Sequence, residues 1–426
     1  MEDLIIIGAG PGGYETAIKA AKNGLKTTII NDGPLGGVCL NEGCIPTKTF
    51  CHYAGKEPFE KVAEHKDAVV KQLQSGVAYL LKNPNIAIVE GKASLKDANT
   101  VVVGDTEYQA KNIIIATGSK PAFLPIPGSD SEMVLTSTDV LNLQELPESI
   151  CVIGGGVIGV EMACYLKKFG VVVTVLEYAP QILPNFDEDI SKRLKQSLTR
   201  QGISIETSAQ VTAIDDEGFV TFEKKDQKYE VVCDKVLMAV GRKPNTESLN
   251  LDALGISCDK KGIQVNENMQ TSVPNIYAIG DVNGQLMLAH VATYQGYRAI
   301  NHILGKKDKI RFDLVPAAVF TTQEVASVGL TEARCEDEEL DYKVVKVPYS
   351  SIGKAVAMGE TEGLCKLIID NENYQILGCH IMGQHASDLI QEVVTMMNLG
   401  ASIDDAQDII HAHPTLNEII QTAIHS

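Results

Sequence analysis

Leu4-Ile5-Ile6-Ile7-Gly8-Ala9-Gly10-Pro11-Gly12-Gly13 is the stretch whose reading decides the fold. Its first four residues are all apolar, the pattern of a parallel strand buried on both faces. Gly8, Gly10 and Gly13 follow at GxGxxG spacing. A helical stretch then runs to about Asn23, Gly24 ends it, and Thr27–Ile30 reads as a second strand. Within that strand, turn, helix and strand the glycines let a pyrophosphate approach the backbone N–H groups at the helix start. The unit predicts an α/β fold that binds a dinucleotide.

The same frame recurs. Ser149–Ile153 leads into Gly154, Gly156 and Gly159, then a helix to about Phe169 and a strand over Val171–Leu176. Chance glycine-rich turns would not reproduce strand, helix and strand twice, so two nucleotide cofactors are expected. Glu177 lies 23 positions after Gly154. A carboxylate there accepts from a ribose 2′-OH and repels a 2′-phosphate. No arginine follows through Gln181, which favours NAD over NADP. The same offset from Gly8 lands on neutral Asn31, with Asp32 beside it. The first unit is therefore expected to hold its adenosine ribose differently, or more weakly.

After the first unit, the stretch from Gly36 to Lys48 sets Cys39 and Cys44 five positions apart, with Pro46 two residues beyond the second. Proline suits the first turn of a helix, where its missing N–H is no loss. Cys44 is thus expected at a helix start, where unpaired amides and the positive dipole end favour a thiolate. Gly36, Gly37 and Gly43 leave room for backbone or a flat ligand to come close. The pair reads as a reversible disulfide pressed against a cofactor. No second cysteine or histidine pair at matching spacing supports zinc, so no metal is expected. A structural staple would be out of place without a secretory signal. Composition by itself leaves redox and ordinary roles both open for the pair.

The 426 residues suffice for about three domains. Lys and Arg total 37 against 55 Asp and Glu, a net charge of −18, which argues against nucleic acid or an anionic membrane as partner. No apolar run approaches the span of a bilayer. The first strand begins by Leu4, so no signal peptide is expected before it. The ten cysteines are scattered rather than patterned, and a cytoplasmic location is expected.

Between the units, Phe59, Val62, Val69, Leu73, Val77 and Leu80 recur at helical steps. A strand over Asn112–Ile115 ends at Ala116-Thr117-Gly118, and Pro121 to Gly128 reads as a crossing into the next domain. Lys235–Val240 leads to a turn at Gly241-Arg242-Lys243-Pro244-Asn245. The strand Asn275–Ile279 closes on Gly280-Asp281. Asp281 is either a turn residue or an acceptor for a cofactor's polyol, and Met287-Leu288-Ala289-His290 opens the next helix. Short strands from about Arg311, then a helix over Ala386–Leu399, predict an α+β third domain. Val393, Met396 and Met397 are expected in its core or an interface. The expected division is 1–117 for the first dinucleotide domain and 118–244 for the second, with 245–306 completing the first and 307–426 forming an interface domain.

Near the end, His411-Ala412-His413-Pro414-Thr415-Leu416-Asn417-Glu418 admits two readings. Proline biases His413 away from helix, and Thr415 with Glu418 fits a capping box opening the last helix. A His413–Glu418 acid/base pair fits equally well.

Taken together, the two nucleotide units, Gly-Gly-Val-Cys-Leu-Asn-x-Gly-Cys-Ile-Pro-x-Lys from Gly36 and His-Ala-His-Pro-Thr-Leu-x-Glu from His411 resemble the pyridine nucleotide–disulfide oxidoreductases over essentially the full length. Within that family the likeness is to the branch that oxidises dihydrolipoamide. The resemblance implies FAD on the first unit, held by Gly8, Gly10, Gly13, Asn31, Asp32, Gly37, Lys48, Thr117, Gly118, Asp281, Met287, Leu288, Ala289 and His290. It implies NAD on the second, held by Gly154, Gly156, Gly159, Glu161, Glu177 and Gly241. Cys39 would be the interchange thiol and Cys44 the thiol facing the flavin. Lys48 and Glu161 would pair near the isoalloxazine, and His413 would be the base, held by Glu418. A two-fold homodimer is implied, with His413 of one subunit serving the disulfide of the other. The partner would be a lipoyl-bearing protein of a 2-oxo acid dehydrogenase or glycine cleavage complex. Rival readings are a reductase of glutathione or coenzyme A disulfide, and a low-turnover flavin scaffold or redox sensor. The chain departs from the family at Asn31, where members usually carry Glu, and in a shorter segment between Lys48 and the strand near Ile86. The lack of a further cysteine pair at the end argues against mercuric reductase and the large thioredoxin reductases.

Overall fold

In the computed structural model, which describes residues 1–426, Glu2–Ile7 is the strand its apolar run predicts. It pairs in parallel with Thr27–Asn31 on one side and with Thr106–Ile115 on the other. Ile5 and Ile7 enter one hydrophobic cluster and Leu4 and Ile6 another, because alternate side chains of a strand leave on opposite faces. Ile86–Glu90 extends the sheet beyond Thr27–Asn31. Ile276–Ala278, supplied from far along the chain, pairs in parallel with Thr106–Ile115. Ala93–Asp97 and Thr100–Val103 continue antiparallel from the other half of that long strand. The helices Pro11–Lys22 and Ala289–Ile303 pack closely because small residues meet at their contact. A Cβ on Gly12 would lie 3.1 Å from the Cβ of Ala292, and one on Gly296 would overlap Thr16 Oγ1.

The second unit repeats this plan. Ser204–Thr207, Val172–Glu177, Ser149–Ile153, Lys235–Met238 and Val134–Leu135 form one parallel sheet in that order. Ile150 and Val152 face one cluster, Cys151 and Ile153 the other. An antiparallel meander, Gln210–Ile214, Phe219–Lys224 and Gln227–Val232, covers the second of these. Between the two units, Ser119–Pro121 pairs antiparallel with Arg242–Pro244, a short clasp across the crossing.

The C-terminal unit is a five-stranded antiparallel sheet of Ala317–Val319, Glu324–Gly329, Ile376–Gly383, Leu364–Asp370 and Tyr342–Pro348, backed by the helices Ala386–Leu399 and Glu418–Ile424. This is the α+β unit expected, and Val393, Met396 and Met397 lie in its core. Lys366, 1 % exposed, joins it to the second unit. Its Nζ sits 2.9 Å from both carboxylate oxygens of Asp187, 2.8 Å from Asp189 and 2.5 Å from Glu332. Burial works against that ammonium, but the carboxylates outweigh it and hold Lys366 well above the ordinary lysine value. A buried ion is tolerable only when it is this fully paired, so the cluster fixes how the two units meet. The molecule has two Rossmann-like units and a C-terminal α+β unit, as the sequence pattern predicts. No helix is long and apolar enough to cross a membrane.

Candidate active site between two glycine turns

The two glycine turns are nearly the same object. Gly8 and Gly154 adopt φ of +109° and +110°, and a Cβ on either would lie 2.3–2.4 Å from a carbonyl oxygen, Ala116 O or Ala239 O. Gly13 and Gly159 are excluded from bearing a side chain by the carbonyls of Gly8 and Gly154, at 1.9 and 2.0 Å. Gly156 instead faces open space, and Gly10 meets only the Cα of Gly37, at 3.9 Å. The helices Pro11–Lys22, Val157–Lys168 and Ala289–Ile303 all start without a side-chain cap. Their first-turn N–H groups and positive dipole ends are therefore available to anionic groups. Residues at all three starts line a single cavity of about 2130 Å³. Ordinary ligand pockets hold roughly 300–1,000 Å³, so this one has room for two dinucleotides end to end. Glycine cradles, uncapped helix starts and that volume fit FAD and NAD.

The cavity is lined by most residues singled out from the sequence: Gly8, Gly10, Asn31, Asp32, Gly37, Cys39, Cys44, Lys48, Thr117, Gly118, Gly154, Gly156, Glu161, Glu177, Gly241, Asp281 and Met287 to His290. Gly13 and Gly159 are not among them, since they close the turns from within. His413 and Glu418 do not line it either.

Cys44 is the first residue of the helix Cys44–Tyr53, where its spacing from Pro46 predicts it, and Cys39 lies in the preceding short helix Gly37–Glu42. Both thiols are free. The hydrogen bond Cys39 gives to Cys44 leads in holding the Cys44 thiol down to about 7, and the Lys48 ammonium adds to it against the opposing effect of burial. Cys39 moves the other way, raised by the same hydrogen bond and by burial. Of the pair, Cys44 thus carries the thiolate. Cys51 is not a rival, because burial drives its thiol well above the usual range.

Lys48 Nζ lies 2.9 and 2.8 Å from the two oxygens of Glu161, a residue 113 positions away. Glu161 Oε1 also accepts from the Phe320 N–H at 2.9 Å, and the ammonium sits 4.8 Å from the centre of the Phe320 ring. Burial raises the Glu161 carboxyl and works against the Lys48 ammonium. The charge and hydrogen bonds of Glu161 nonetheless leave Lys48 raised overall. The pair gives the thiolate a fixed cation and the cavity floor a fixed dipole.

Asp281 occupies a 3₁₀ turn, Gly280–Asn283, at the end of its strand. Its Oδ2 accepts from Ser119 Oγ at 2.6 Å, and that hydroxyl accepts from Arg242 Nε at 2.7 Å. The sequence assigns neither partner a role at Asp281. Ser119 directly follows Ala116-Thr117-Gly118 and Arg242 follows Gly241, but nothing local pairs them.

The two residues expected at a ribose have different partners. Glu177 accepts from the N–H groups of Gly155 at 2.5 Å and Ala179 at 2.6 Å. Asn31 accepts from Ala9 N–H at 2.9 Å and donates to the carbonyl of Gly33.

At the other end of the chain, His413 Nδ1 is hydrogen-bonded to Glu418 Oε1 at 2.7 Å. Glu418 Oε2 accepts from Thr415 N–H at 3.0 Å, and these two bonds hold its carboxyl below the usual range. The capping box expected at Thr415 is half made. The helix begins at Glu418, and Thr415 Oγ1 turns back to donate to Ala412 O. Glu418 therefore serves both readings at once, holding the turn with one oxygen and His413 with the other. The His413 side chain is 77 % exposed. His411 is its opposite, 6 % exposed and 2.6 Å from Glu392.

Residues 2–296 match the family model described as pyridine nucleotide-disulphide oxidoreductase, and residues 315–424 match that family's dimerisation domain. The dihydrolipoyl dehydrogenase of Chlamydia muridarum is 41% identical, over 98% of this chain and 95% of the relative. That of Geobacillus stearothermophilus is also 41% identical, over 99% and 95%. Among solved structures, the HOCl-induced flavoprotein disulfide reductase RclA from Escherichia coli is similar with a TM-score of 0.92 at 32% identity, covering 99% of both chains.

Proposed function

The chain belongs to the pyridine nucleotide-disulphide oxidoreductase family, and from that premise we propose that it oxidises dihydrolipoamide to lipoamide with NAD as final acceptor. It is an FAD-dependent disulfide oxidoreductase and a homodimer. The observation that carries the disulfide-exchange reading is the Cys39–Cys44 pair, seated at a helix start between the two glycine turns and beside the Lys48–Glu161 ion pair, and the 41% identity to dihydrolipoyl dehydrogenases supports dihydrolipoamide as the dithiol.

The reaction begins with the Cys39–Cys44 disulfide. Dihydrolipoamide is a neutral dithiol, and only a thiolate attacks a disulfide. His413 of one subunit takes the thiol proton on Nε2, the ring nitrogen that Glu418 leaves free. Exposed on its own chain and absent from its own cavity, it serves the partner subunit's disulfide. The substrate thiolate bonds to Cys39 sulfur and the bond to Cys44 breaks. Cys44 leaves as the thiolate that its hydrogen bond from Cys39 and its neighbour Lys48 stabilise. The second substrate sulfur then displaces Cys39, its proton passing by way of His413 to the departing Cys39 sulfur, so that lipoamide leaves as a cyclic disulfide, Cys39 becomes a thiol and His413 stays protonated. Bound FAD supplies the two-electron carrier between the Cys44 thiolate and NAD. The uncapped helix starts at Pro11 and Ala289 would hold the FAD phosphates, Asp281 its polyol, and Val157 with Glu177 would hold NAD.

On this reading residues 1–117 with 245–306 form the FAD domain, 118–244 the NAD domain and 307–426 the dimer domain. The enzyme works in the cytoplasm on a lipoyl-bearing protein of a 2-oxo acid dehydrogenase or glycine cleavage complex. The test is NAD reduction by dihydrolipoamide on FAD-loaded protein, run beside NADP and beside NADH-driven reduction of glutathione and coenzyme A disulfides. NAD-linked turnover with dihydrolipoamide alone is expected. Turnover confined to another disulfide would overturn the substrate assignment.

A further inference from the structure

We infer that Ser119 and Arg242 are positioning residues that aim the Asp281 carboxylate at the polyol of bound FAD. The inference rests on the reading of Asp281 given above. It starts from the three-residue relay at the clasp between the two units. Arg242 gives Nε to the Ser119 hydroxyl at 2.7 Å and Nη2 to the Ser119 carbonyl at 2.8 Å. Ser119 gives its own proton to Asp281 Oδ2 at 2.6 Å. A guanidinium has only donors and stays charged. With Arg242 occupying a lone pair of the hydroxyl, the Ser119 proton has one direction left, toward Asp281. Oδ2 thereby spends a lone pair on Ser119, while Oδ1 has no protein partner and belongs to a residue lining the cavity.

The backbone beneath is held as firmly. Gly280 N–H donates to Gln295 Oε1 at 2.7 Å, and Gln295 is 1 % exposed. A Cβ on Gly280 would lie 2.9 Å from that of Ala292. Asp281 can therefore neither swing at its backbone nor rotate freely at its carboxylate. Three segments remote in sequence set one acceptor oxygen, and two of them are the paired strands Ser119–Pro121 and Arg242–Pro244. A relay built only to close the clasp would need the guanidinium and the Ser119 carbonyl, not the further bond to a carboxylate at the cavity wall.

The test measures FAD release from holoenzyme by the rise in flavin fluorescence, together with the flavin reduction potential and apoprotein melting, in Asp281→Ala, Ser119→Ala, Ser119→Thr and Arg242→Lys. Ser119→Ala and Arg242→Lys are expected to speed release roughly tenfold and shift the potential, as loss of a charge-assisted bond should. Apoprotein melting should stay at the wild-type value, and Ser119→Thr should restore wild-type release. If Asp281→Ala speeds release but Ser119→Ala and Arg242→Lys release FAD at the wild-type rate, the positioning role is wrong and the Asp281 reading survives. If Asp281→Ala also leaves release unchanged, the Asp281 reading fails and takes this inference with it. Faster release accompanied by a matching loss of apoprotein stability would make the relay a clasp and overturn the inference.

Discussion

At the same offset from their first glycines, Asn31 and Glu177 both close a glycine turn, and they do it differently. Glu177 accepts two backbone N–H groups, while Asn31 accepts one and donates to a carbonyl. A carboxylate has about four lone-pair sites, so Glu177 holds its turn and keeps acceptor capacity for a ribose. The Asn31 amide oxygen has two lone pairs, one already used, and one N–H of the amide donates to the Gly33 carbonyl. Turn closure is thus the job both residues share, and nucleotide contact is an extra that the second unit is better equipped to perform. The first unit has something the second lacks: its turn abuts the Gly37–Glu42 helix, which carries Cys39 and leads into the Cys44–Tyr53 helix. On the proposed reading the two thiols belong to the first unit and the better ribose acceptor to the second, with Glu161 of the second unit reaching Lys48 beside the thiols.

The sharpest way to break that contrast is Cys44→Ser, which should abolish dihydrolipoamide turnover while FAD stays bound. Full turnover by this variant would end the assignment. His413→Gln should lower lipoamide turnover by roughly 10²–10⁴-fold, the usual worth of a positioned base, while electron transfer from NADH to a dye persists. Equal loss of both would place the defect in folding or flavin binding instead. In the second unit, Glu177→Ala should raise the KM for NAD by about 10–100-fold, the worth of a bond to a charged group, without altering FAD release. In the first, Asn31→Glu should slow FAD dissociation by about three- to tenfold through the added acceptor; an unchanged rate would erase the contrast at these two positions. A gentler probe is the pH dependence of thiol alkylation in reduced enzyme. Because the Cys44 value is lowered, its thiolate is present above about pH 7 and lost as pH falls through it. Removing the Lys48 charge should move that midpoint upward.

How much was legible follows from the range of the interactions concerned. The turn glycines could be assigned because each obeys a steric rule within its own turn, as Gly13 does against the carbonyl of Gly8. Cys44 could be set at a helix start because Pro46 is two residues away. The Thr415–Glu418 capping pattern forms by half, with Thr415 N–H on Glu418 and the Thr415 hydroxyl turned to Ala412. Such a box scores four neighbouring residues, and in the fold Glu418 divides its two oxygens between Thr415 and His413. Lys366 gave no local sign of its role, since its partners Asp187, Asp189 and Glu332 come from other segments.

The sequence alone determined two dinucleotide turns, a redox-ready cysteine pair and an α+β tail, because backbone sterics, helix starts and strand periodicity act over a few residues. Tertiary structure decided that Glu161 would meet Lys48, that Ser119 and Arg242 would hold Asp281, and that Ile276–Ala278 would complete the first sheet. It also decided that His413 would stand outside its own chain's cavity. Those outcomes depend on which surfaces bury against which, and a pairing across more than a hundred residues leaves no periodic trace in the chain that makes it.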